Sequence, residues 1–371
     1  MALPDLPALP GLLAAHQVRA TAASIARVQE PSGAIPWFPG GHVDVWDHVE
    51  CAMALLVGGE VEAAERGYAW LFGGQRTDGS WPIRIAGGRI KDAGADTNMC
   101  AYVAVGVWHH WLVRGDHRFL AEAWPVVCRA LDFVVGAQLP FGGIAWAQNE
   151  YGDVLDSALV AGSSSIFHAL GCGLALAALL DDPQPGWELA LGRLGHALRA
   201  HEDLFAAKRR FSMDWYYPVL AGAVRGAAAG RRLDRRWDDF VVPGLGIRCV
   251  DDHPWVTGAE TGELVLALEA IGRREQALAL LADMHHLRDP DGSYWTGYVF
   301  TDEARWPVER STWTAAAVIL AVDALACGTA GSAVFREGTP YSGDVTGSAL
   351  GCGCRSSASA DRVAGLSTHA G

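Results

Sequence analysis

The sequence predicts an all-α protein, an (α/α)6 toroid of six helical hairpins with an apolar inner ring and an amphipathic outer ring. Three observations predict it. Apolar and amphipathic helical segments alternate along the chain, a short string recurs in the loops that precede the apolar segments, and the segment 96–116 is apolar on almost every side. A helix that is apolar all round is buried all round, which is the position of an inner helix.

The segment 96–116 shows how each inner helix is delimited. Asp96 and Thr97 at its start suit a helix N-cap, and Arg114 followed by Gly115 is typical of a helix end. By the same signals and by helical periodicity, apolar helices are predicted at 45–57, 96–113, 157–180, 213–229, 260–271 and 311–326. Amphipathic helices are predicted at 12–29, 61–72, 118–138, 187–205, 233–240 and 274–287. Few strands are visible, and Gly246–Val250 is the best candidate.

The recurring string links an amphipathic helix to the next apolar one. Its copies are Gln29-x3-Gly33-x-Ile35, Gln75-x3-Gly79-x-Trp81, Gln138-x3-Gly142-x-Ile144 and Arg288-x3-Gly292-x-Tyr294. Each copy closes a turn and then places a large side chain against the next hairpin. Such units cannot bury their apolar faces alone and must stack. We therefore assign residues 1–327 to one barrel domain, and 328–371, rich in Gly, Ser and Ala, to a low-complexity tail that we expect to be disordered.

Composition limits the partners of the chain. The net charge is −13 and no Lys/Arg-rich run is present, which argues against nucleic acid and anionic membranes as partners. We find neither a secretory signal nor a transmembrane segment, and most of the eight cysteines fall in apolar helical patterns where reduced thiols are expected. A cytoplasmic protein without stable membrane insertion fits these features. The oligomeric state is left open.

Candidate functional residues cluster at the starts of the predicted inner helices. In a ring of hairpins all inner helices run the same way, so their N-terminal ends share one rim. Carboxylates mixed with Trp and Tyr suit a sugar site, because aromatic faces stack on sugar rings and carboxylates bind hydroxyls or transfer protons. The predicted binding residues are Trp46, Asp47, Asp96, Asn98, Glu150, Asp214, Trp215, Tyr217, Glu260, Glu263 and Trp313. For any single aspartate here, helix capping is the alternative role.

Three segments resemble the glucoamylase family and other six-hairpin glycosidases, namely Asp96–Val127, Met213–Gly222 and Asp289–Leu325. The resemblance implies glycoside hydrolysis with inversion on a small-molecule or oligosaccharide substrate. Nothing in the sequence requires a cofactor or a metal. The family's base precedes the last inner helix, which implies Glu309. The family's acid is a Trp-Glu pair at the third inner helix. This chain lacks that pair, and Asp156 is the nearest carboxylate, with Glu150 in reserve. An ion pair with Arg305 or Arg310 is the alternative role for Glu309.

Two other functions stay open at this point. The string Gln75–Trp81 resembles the repeat of squalene–hopene cyclases and related prenyltransferase-like proteins, which implies an isoprenoid substrate. An aromatic-lined toroid can stabilise a carbocation, but the Asp-x-Asp-Asp acid motif of these cyclases is missing, since Val250-Asp251-Asp252 lacks the first aspartate. The second alternative is a non-catalytic binding scaffold, which predicts no carboxylate pair facing across the cavity.

Overall fold

The computed structural model describes residues 6–337, in which outer and inner helices alternate along the chain. Each of the six hairpins has its outer helix first. The outer helices are α1 (Ala15–Val28), α3 (Val61–Gly73), α6 (His117–Gly136), α8 (Pro185–Ala200), α10 (Gly226–Asp234) continued by α11 (Trp237–Phe240), and α13 (Arg274–Asp283). The inner helices that follow them are, in the same order, α2 (Val45–Val57), α4 (Thr97–Ala101) continued by α5 (Val103–Arg114), α7 (Val160–Leu180), α9 (Ser212–Leu220), α12 (Gly258–Ala270) and α14 (Thr312–Ala326).

The inner helices form a closed ring. Each packs against the next in chain order, and α14 returns to pack against α2 and also against α1. Every residue of α14 except Trp313 and Ala326 is buried, as the apolar pattern predicts for an inner helix. The (α/α)6 toroid is therefore confirmed.

Side-chain caps fix where several inner helices begin. The side chain of Asp44 accepts a hydrogen bond from Asp47 N at the start of α2, and that of Asp96 accepts one from Met99 N at the start of α4. Ser311 caps α14 through Thr314 N. Capping satisfies one of the free N–H groups of a helix terminus. It also holds these side chains at the rim.

The recurring string is a clamp between neighbouring hairpins. Gln75 Nε2 donates to the carbonyl of Gly79 in its own turn (3.0 Å) and to that of Val126 on α6 (2.9 Å). Gln29 and Gln138 make the same pair of bonds to their own turns and to the next outer helix. The resemblance to the cyclase repeat thus reflects how hairpins are joined, and it has no bearing on the substrate.

Short antiparallel sheets stand on the loops at the rim. β1 (His42–Val43), β2 (Arg84–Ala86) and β3 (Arg89–Asp92) form one, and β4 (Ala95–Asp96) pairs with β5 (Ala147–Gln148). A five-stranded sheet has the order β10-β9-β8-β7-β6, with β6 (Val241–Val242), β7 (Gly246–Arg248), β8 (Trp255–Thr257), β9 (Gly297–Val299) and β10 (Ala304–Arg305). The strand expected at 246–250 is β7. β1, β4 and β8 lead directly into α2, α4 and α12. The sheets therefore lie at the open end of the ring, where the inner helices begin.

The fourth and fifth hairpins differ from prediction. The helix expected at 213–229 ends at Leu220, and Gly222, with φ +80°, turns the chain before the outer helix α10 begins at Gly226. The run of small apolar residues after Leu220 concealed this turn. The segment expected as one outer helix at 233–240 is the end of α10 followed by the short α11.

The boundary of the tail also requires correction. Residues 330–332 form a 3-10 turn and α15 (Ala333–Arg336) follows, with Val334 and Phe335 buried against the closed end of the ring. The barrel domain therefore extends past residue 327, to at least 337. The rest of the predicted tail, 338–371, lies outside the described residues.

Within residues 6–337, α7 has the length and hydropathy to cross a membrane. The pair formed by α14 and 330–336 passes the same test but is bent by 97°. Of the most apolar window of α7, 83% is buried inside the protein. We therefore assign α7 to the core of the ring.

Candidate active site

Five carboxyl groups meet inside the ring, at the N-cap of α2 and on the first two turns of α2 and α12. They are Asp44, Asp47, Glu50, Glu260 and Glu263, and none is more than 8% exposed. The two helices are separated by α14 in the ring, so their side chains approach from different walls. The charges of Glu50 and Glu263 both raise the pKa of Asp47, which shows that the groups share one electrostatic environment. Carboxyl groups from α2 and α12 therefore lie close enough inside the ring to affect one another's ionisation.

Asp47 is the carboxyl group most affected by its neighbours. Burial raises its pKa well above the usual range, and the adjacent Asp44, through charge and a hydrogen bond between the side chains, raises it further. Two close carboxyl groups in a poorly solvated site cannot both ionise easily. Asp47 therefore holds its proton to higher pH than an ordinary carboxyl group does, which favours the protonated state that a general acid requires.

Glu50 lies deeper and organises three aromatic side chains. Its Oε1 accepts from Tyr102 OH (2.7 Å) and Trp46 Nε1 (3.3 Å), and its Oε2 accepts from Trp313 Nε1 (2.7 Å). Burial raises the pKa of Glu50 to about 7, although these three donors favour the ionised form. Glu50 thus fixes the aromatic side chains at the cavity wall, and we regard it as a positioning residue.

The α9–α12 wall has a similar arrangement. Tyr216 OH donates to Glu263 Oε2, whereas Glu263 Oε1 has no hydrogen-bond partner among the described residues. Burial, followed by the charge of Glu50, raises the pKa of Glu263 well above its usual range. Tyr217, next in sequence, packs edge-on against Trp46 at 5.5 Å. The two walls are therefore joined by aromatic contacts.

Glu309 lies at the rim, partly exposed. Its Oε1 accepts from Trp37 Nε1 (2.8 Å) and Thr296 Oγ1 (3.0 Å). The Trp37 ring lies 5.5 Å from that of Trp313, which links Glu309 to the carboxyl cluster through two indoles. The ion-pair alternative for Glu309 is not observed. Arg305 and Arg310 both bind Asp289 instead.

A separate cavity of about 170 Å³ opens beside the cluster, between α2, α4, α7 and α9. Three predicted binding residues, Trp46, Asp96 and Asn98, line it. Burial raises the pKa of Asp96 to about 6 against the effect of its capping bond to Met99 N. Asn98 Oδ1 is buried without a hydrogen-bond partner among residues 6–337.

Four predicted site residues lie elsewhere. Asp156 and Glu150 are exposed in the loop before α7. Asp214 is buried and caps α7 from outside that helix by accepting from Ala161 N (3.1 Å), and burial raises its pKa to about 6. Trp215 points outward, donates to the carbonyls of α10 and stacks on Phe240 at 5.1 Å. In this structure Trp215 therefore packs against the outer helices, away from the carboxyl cluster.

The sequence analysis did not assign five residues of the site, namely Trp37, Asp44, Glu50, Tyr102 and Tyr216. A signal existed for Glu50. Asp44, Asp47 and Glu50 follow one another at intervals of three, which places them along one helix face. Trp37 and Tyr216 carried no such signal, because Trp37 belongs to a loop and Tyr216 is one of three consecutive aromatic residues. Within the described part of the chain, no group of three or more His, Cys, Asp and Glu side chains is arranged to hold a metal ion.

Comparison with known proteins identifies the family. No model of a known protein family matches the chain. Over 334 residues the chain is 59% identical to the MMP endo-(1,4)-3-O-methyl-alpha-D-mannosidase of Mycolicibacterium hassiacum, a match that covers 90% of this chain and 93% of the relative. The chain belongs to the family of this endo-mannosidase. It is a glycoside hydrolase-like enzyme that acts on a saccharide, and the glycosidase interpretation is confirmed over the isoprenoid and scaffold alternatives.

Solved structures agree on the fold. A wild-type glycosidase superposes with a TM-score of 0.66 at 16% identity, covering 84% of this chain and 96% of that one. The GH63 mannosylglycerate hydrolase of Thermus thermophilus, in complex with glucose, gives 0.64 at 15% identity, covering 81% and 99%. A D-mannose isomerase gives 0.63 at 12% identity, covering 83% and 96%. At these identities the likeness supports the toroid fold alone.

Proposed function

We propose that this endo-mannosidase family member hydrolyses internal α-1,4 bonds between 3-O-methyl-mannose units of an oligosaccharide or polysaccharide, with inversion at the anomeric carbon. The named relative suggests the substrate. The observation that supports the chemistry is the buried carboxyl cluster at the starts of α2 and α12, in which burial and the adjacent Asp44 favour the protonated form of Asp47. An inverting glycosidase needs such an acid and a second, ionised carboxylate across the scissile bond, about 6.5–9.5 Å away.

Asp47 is the proposed general acid. It stands on the first turn of an inner helix, and burial together with Asp44 raises its pKa. In the reaction it donates this proton to the glycosidic oxygen as the bond to the anomeric carbon breaks. Asp47 replaces Asp156 in this role because the Asp156 side chain is exposed in the loop before α7.

Glu309 is the proposed general base. Both donors bind its Oε1, which leaves Oε2 to accept a proton from a water molecule. Its place at the partly exposed rim gives that water access from solvent. The water adds to the anomeric carbon from the face opposite the leaving group. Glu260, buried on the first turn of α12, is the alternative base.

The remaining predicted binding residues that reach the cavity serve recognition. Trp46 and Trp313, both partly exposed, provide aromatic surface for the C–H faces of the sugar rings, and the buried Tyr217 supports Trp46. Glu263 accepts hydrogen bonds from sugar hydroxyls through its unpartnered Oε1. The proposed substrate is extended, which agrees with a site at the open rim.

Kinetics on two substrates test the assignment of the acid. We would compare Asp47→Asn with the control Asp156→Asn on a 3-O-methylated α-1,4-manno-oligosaccharide and on its α-glycosyl fluoride, whose leaving group needs no protonation. We expect Asp47→Asn to lose about 10²–10⁴-fold in kcat on the oligosaccharide and far less on the fluoride, while Asp156→Asn stays close to wild type. Equal activity of the two variants on the oligosaccharide would reject Asp47 as the acid.

The base is tested with Glu309→Gln and Glu260→Gln. Replacing the general base should remove activity on both substrates. Added azide should restore activity on the fluoride, because azide replaces the activated water as the nucleophile. Recovery of Glu260→Gln alone would transfer the role to Glu260. Proton NMR of the first product distinguishes inversion, which gives the β-anomer, from retention. The size of the first products separates internal from terminal cleavage. If wild type cleaves neither substrate, the proposed function is wrong.

We also propose that the enzyme acts in the cytoplasm. The six cysteines in the described part of the chain are free thiols, which agrees with a reducing compartment. Fractionation of cells that produce the full chain, followed by detection with an antibody, tests this location. Recovery from the medium or the envelope would contradict it.

A further inference from the structure

We propose that the cavity between α2, α4, α7 and α9 is the subsite that recognises the 3-O-methyl group of the substrate. This inference rests on the proposed function and assigns a place and a chemistry to its substrate preference. The ligand class is a methyl ether on a sugar ring, next to a free hydroxyl. The supporting observations are the lining, the polar atoms at its wall and the position of the cavity.

The lining of the cavity is suited to an alkyl group. Its walls include Met99 on α4, Ile166 on α7, Met213 on α9 and Trp146 from the loop before α7. Met99, Met213 and Trp146 are only partly buried, so the walls are open to an incoming ligand. Methionine adapts its shape to irregular apolar groups. Against these apolar side chains a methyl ether gains contact that a hydroxyl in the same position does not gain.

Two polar atoms suit the hydroxyl beside the ether. Asn98 Oδ1 and Ser163 Oγ belong to cavity-lining residues that are 6% and 1% exposed, and neither atom has a hydrogen-bond partner among the described residues. Buried polar atoms normally have hydrogen-bond partners. Two buried polar atoms without partners at the wall of a cavity therefore indicate a ligand. A 3-O-methyl hexose carries a free hydroxyl on C2, the carbon next to its ether. That hydroxyl can donate to Asn98 Oδ1 and accept from Ser163.

The cavity adjoins the proposed catalytic cluster through Trp46. The Trp46 side chain lines the cavity, and its Nε1 donates to Glu50 on the other side. Asp47, the proposed acid, is the next residue. A sugar bound at the cluster therefore lies beside this cavity, and a substituent on its ring can reach into the cavity.

Gly162 offers a direct test of the space. It lines the cavity in the first turn of α7, and a Cβ there would lie 3.6 Å from Asn98 Cβ and 3.9 Å from Leu159 Cβ, in ordinary contact. Gly162→Ala therefore inserts one methyl group into the cavity without displacing backbone. Gly192→Ala on α8 is the matched control, because it adds the same group to a helix where no atom lies within 4 Å. Met213→Gln is a second variant that changes polarity and keeps side-chain length.

The experiment compares two α-1,4-manno-oligosaccharides of equal length, one 3-O-methylated and one not. Binding is measured by calorimetry, and kcat/KM is measured on the same pair. One methylene in an apolar pocket discriminates by about 10–200-fold, and we expect wild type and Gly192→Ala to prefer the methylated ligand by a factor in that range. Gly162→Ala and Met213→Gln should lower the preference at least tenfold while binding of the unmethylated ligand changes less than threefold.

The two measurements separate the two hypotheses. A binding preference that is the same in Gly162→Ala, Met213→Gln and wild type overturns the subsite. A wild-type enzyme that binds both ligands equally overturns it as well. If the preference is present and lost in the variants but neither ligand is cleaved, the subsite is supported and the proposed reaction is rejected.

Discussion

Replacing Gly79 with alanine tests whether the recurring string clamps the hairpins together. Gly79 adopts φ +94°, and a Cβ on it would lie 2.1 Å from the carbonyl oxygen of Arg129 on α6. This is about 1.3 Å short of the 3.4 Å at which ordinary contact begins. Both atoms are held by backbone, so the turn and α6 must separate. Separation breaks the 2.9 Å bond from Gln75 Nε2 to Val126 O.

The expected cost has two parts. A non-glycine residue in this backbone conformation costs about 1–3 kcal/mol. Loss of the Gln75–Val126 bond at a partly buried site adds about 1–2 kcal/mol. Together they lower the free energy of unfolding by about 2–5 kcal/mol, a large effect for one methyl group. The control is Gly87→Ala in the β2–β3 turn, with φ +55° and no atom within 4 Å of the new Cβ. It carries only the backbone penalty of about 1–2 kcal/mol.

Urea unfolding measures the difference. At a slope of about 3 kcal/mol per molar, the urea midpoint of Gly79→Ala should fall by about 0.7–1.7 M and that of Gly87→Ala by about 0.3–0.7 M. Far-UV circular dichroism and tryptophan fluorescence should report the same transition. If the two variants unfold at the same urea concentration, the contact with α6 contributes nothing and the role assigned to the string is wrong.

Three further predictions concern the site and the domain boundary. Tyr102→Phe removes a donor to Glu50 and should destabilise the protein by about 1–3 kcal/mol at pH 8.5 but less at pH 5.5. The reason is that the pKa of Glu50 is raised from 4.5 to about 7, so the ionised form that needs the donor is present only at the higher pH; an equal loss at both values in thermal unfolding would contradict this. Trp215→Phe should lower stability by about 1–2 kcal/mol and leave kcat/KM within threefold of wild type, whereas a loss of activity at unchanged stability would return this residue to the site. Phe335→Ala should cost about 3–5 kcal/mol because Phe335 is 4% exposed, and an unchanged urea midpoint would place the domain boundary back at 327.

The architecture could be predicted because it depends on patterns that repeat. Apolar inner and amphipathic outer helices alternate, and the Gln-x3-Gly string marks successive loops. The fourth hairpin broke the pattern for a local reason. The residues after Leu220 are small and apolar, and Gly222 turns the chain among them without a Pro or Asp-Gly signal. Except for β7, the rim strands were not predicted, because most are only two or three residues long and are held by partners far along the chain.

The site could be placed at the rim but not resolved into roles. All inner helices run in the same direction. This alone predicted that Asp47, Glu260 and Trp313, which lie at helix starts, share one end of the ring. Whether an aromatic residue at a helix start faces the cavity or the outer helices depends on the helix phase, which is why Trp215 and Tyr216 differ although they are adjacent. The exposure of Asp156 depends on the course of the loop 149–159, which carries no periodic signal.

The two ends of the ring meet at the active site. Glu309 and Trp313, from the last hairpin, bind Trp37 and Glu50, from the first, and Thr312 N donates to Trp37 O across the same junction. These partners are separated by more than 260 residues in sequence. During synthesis on the ribosome, one apolar side of the first hairpin therefore stays uncovered until nearly the whole barrel has been translated. The nascent chain gains its proposed acid early and its proposed base late, so closure of the ring and completion of the catalytic machinery are a single event.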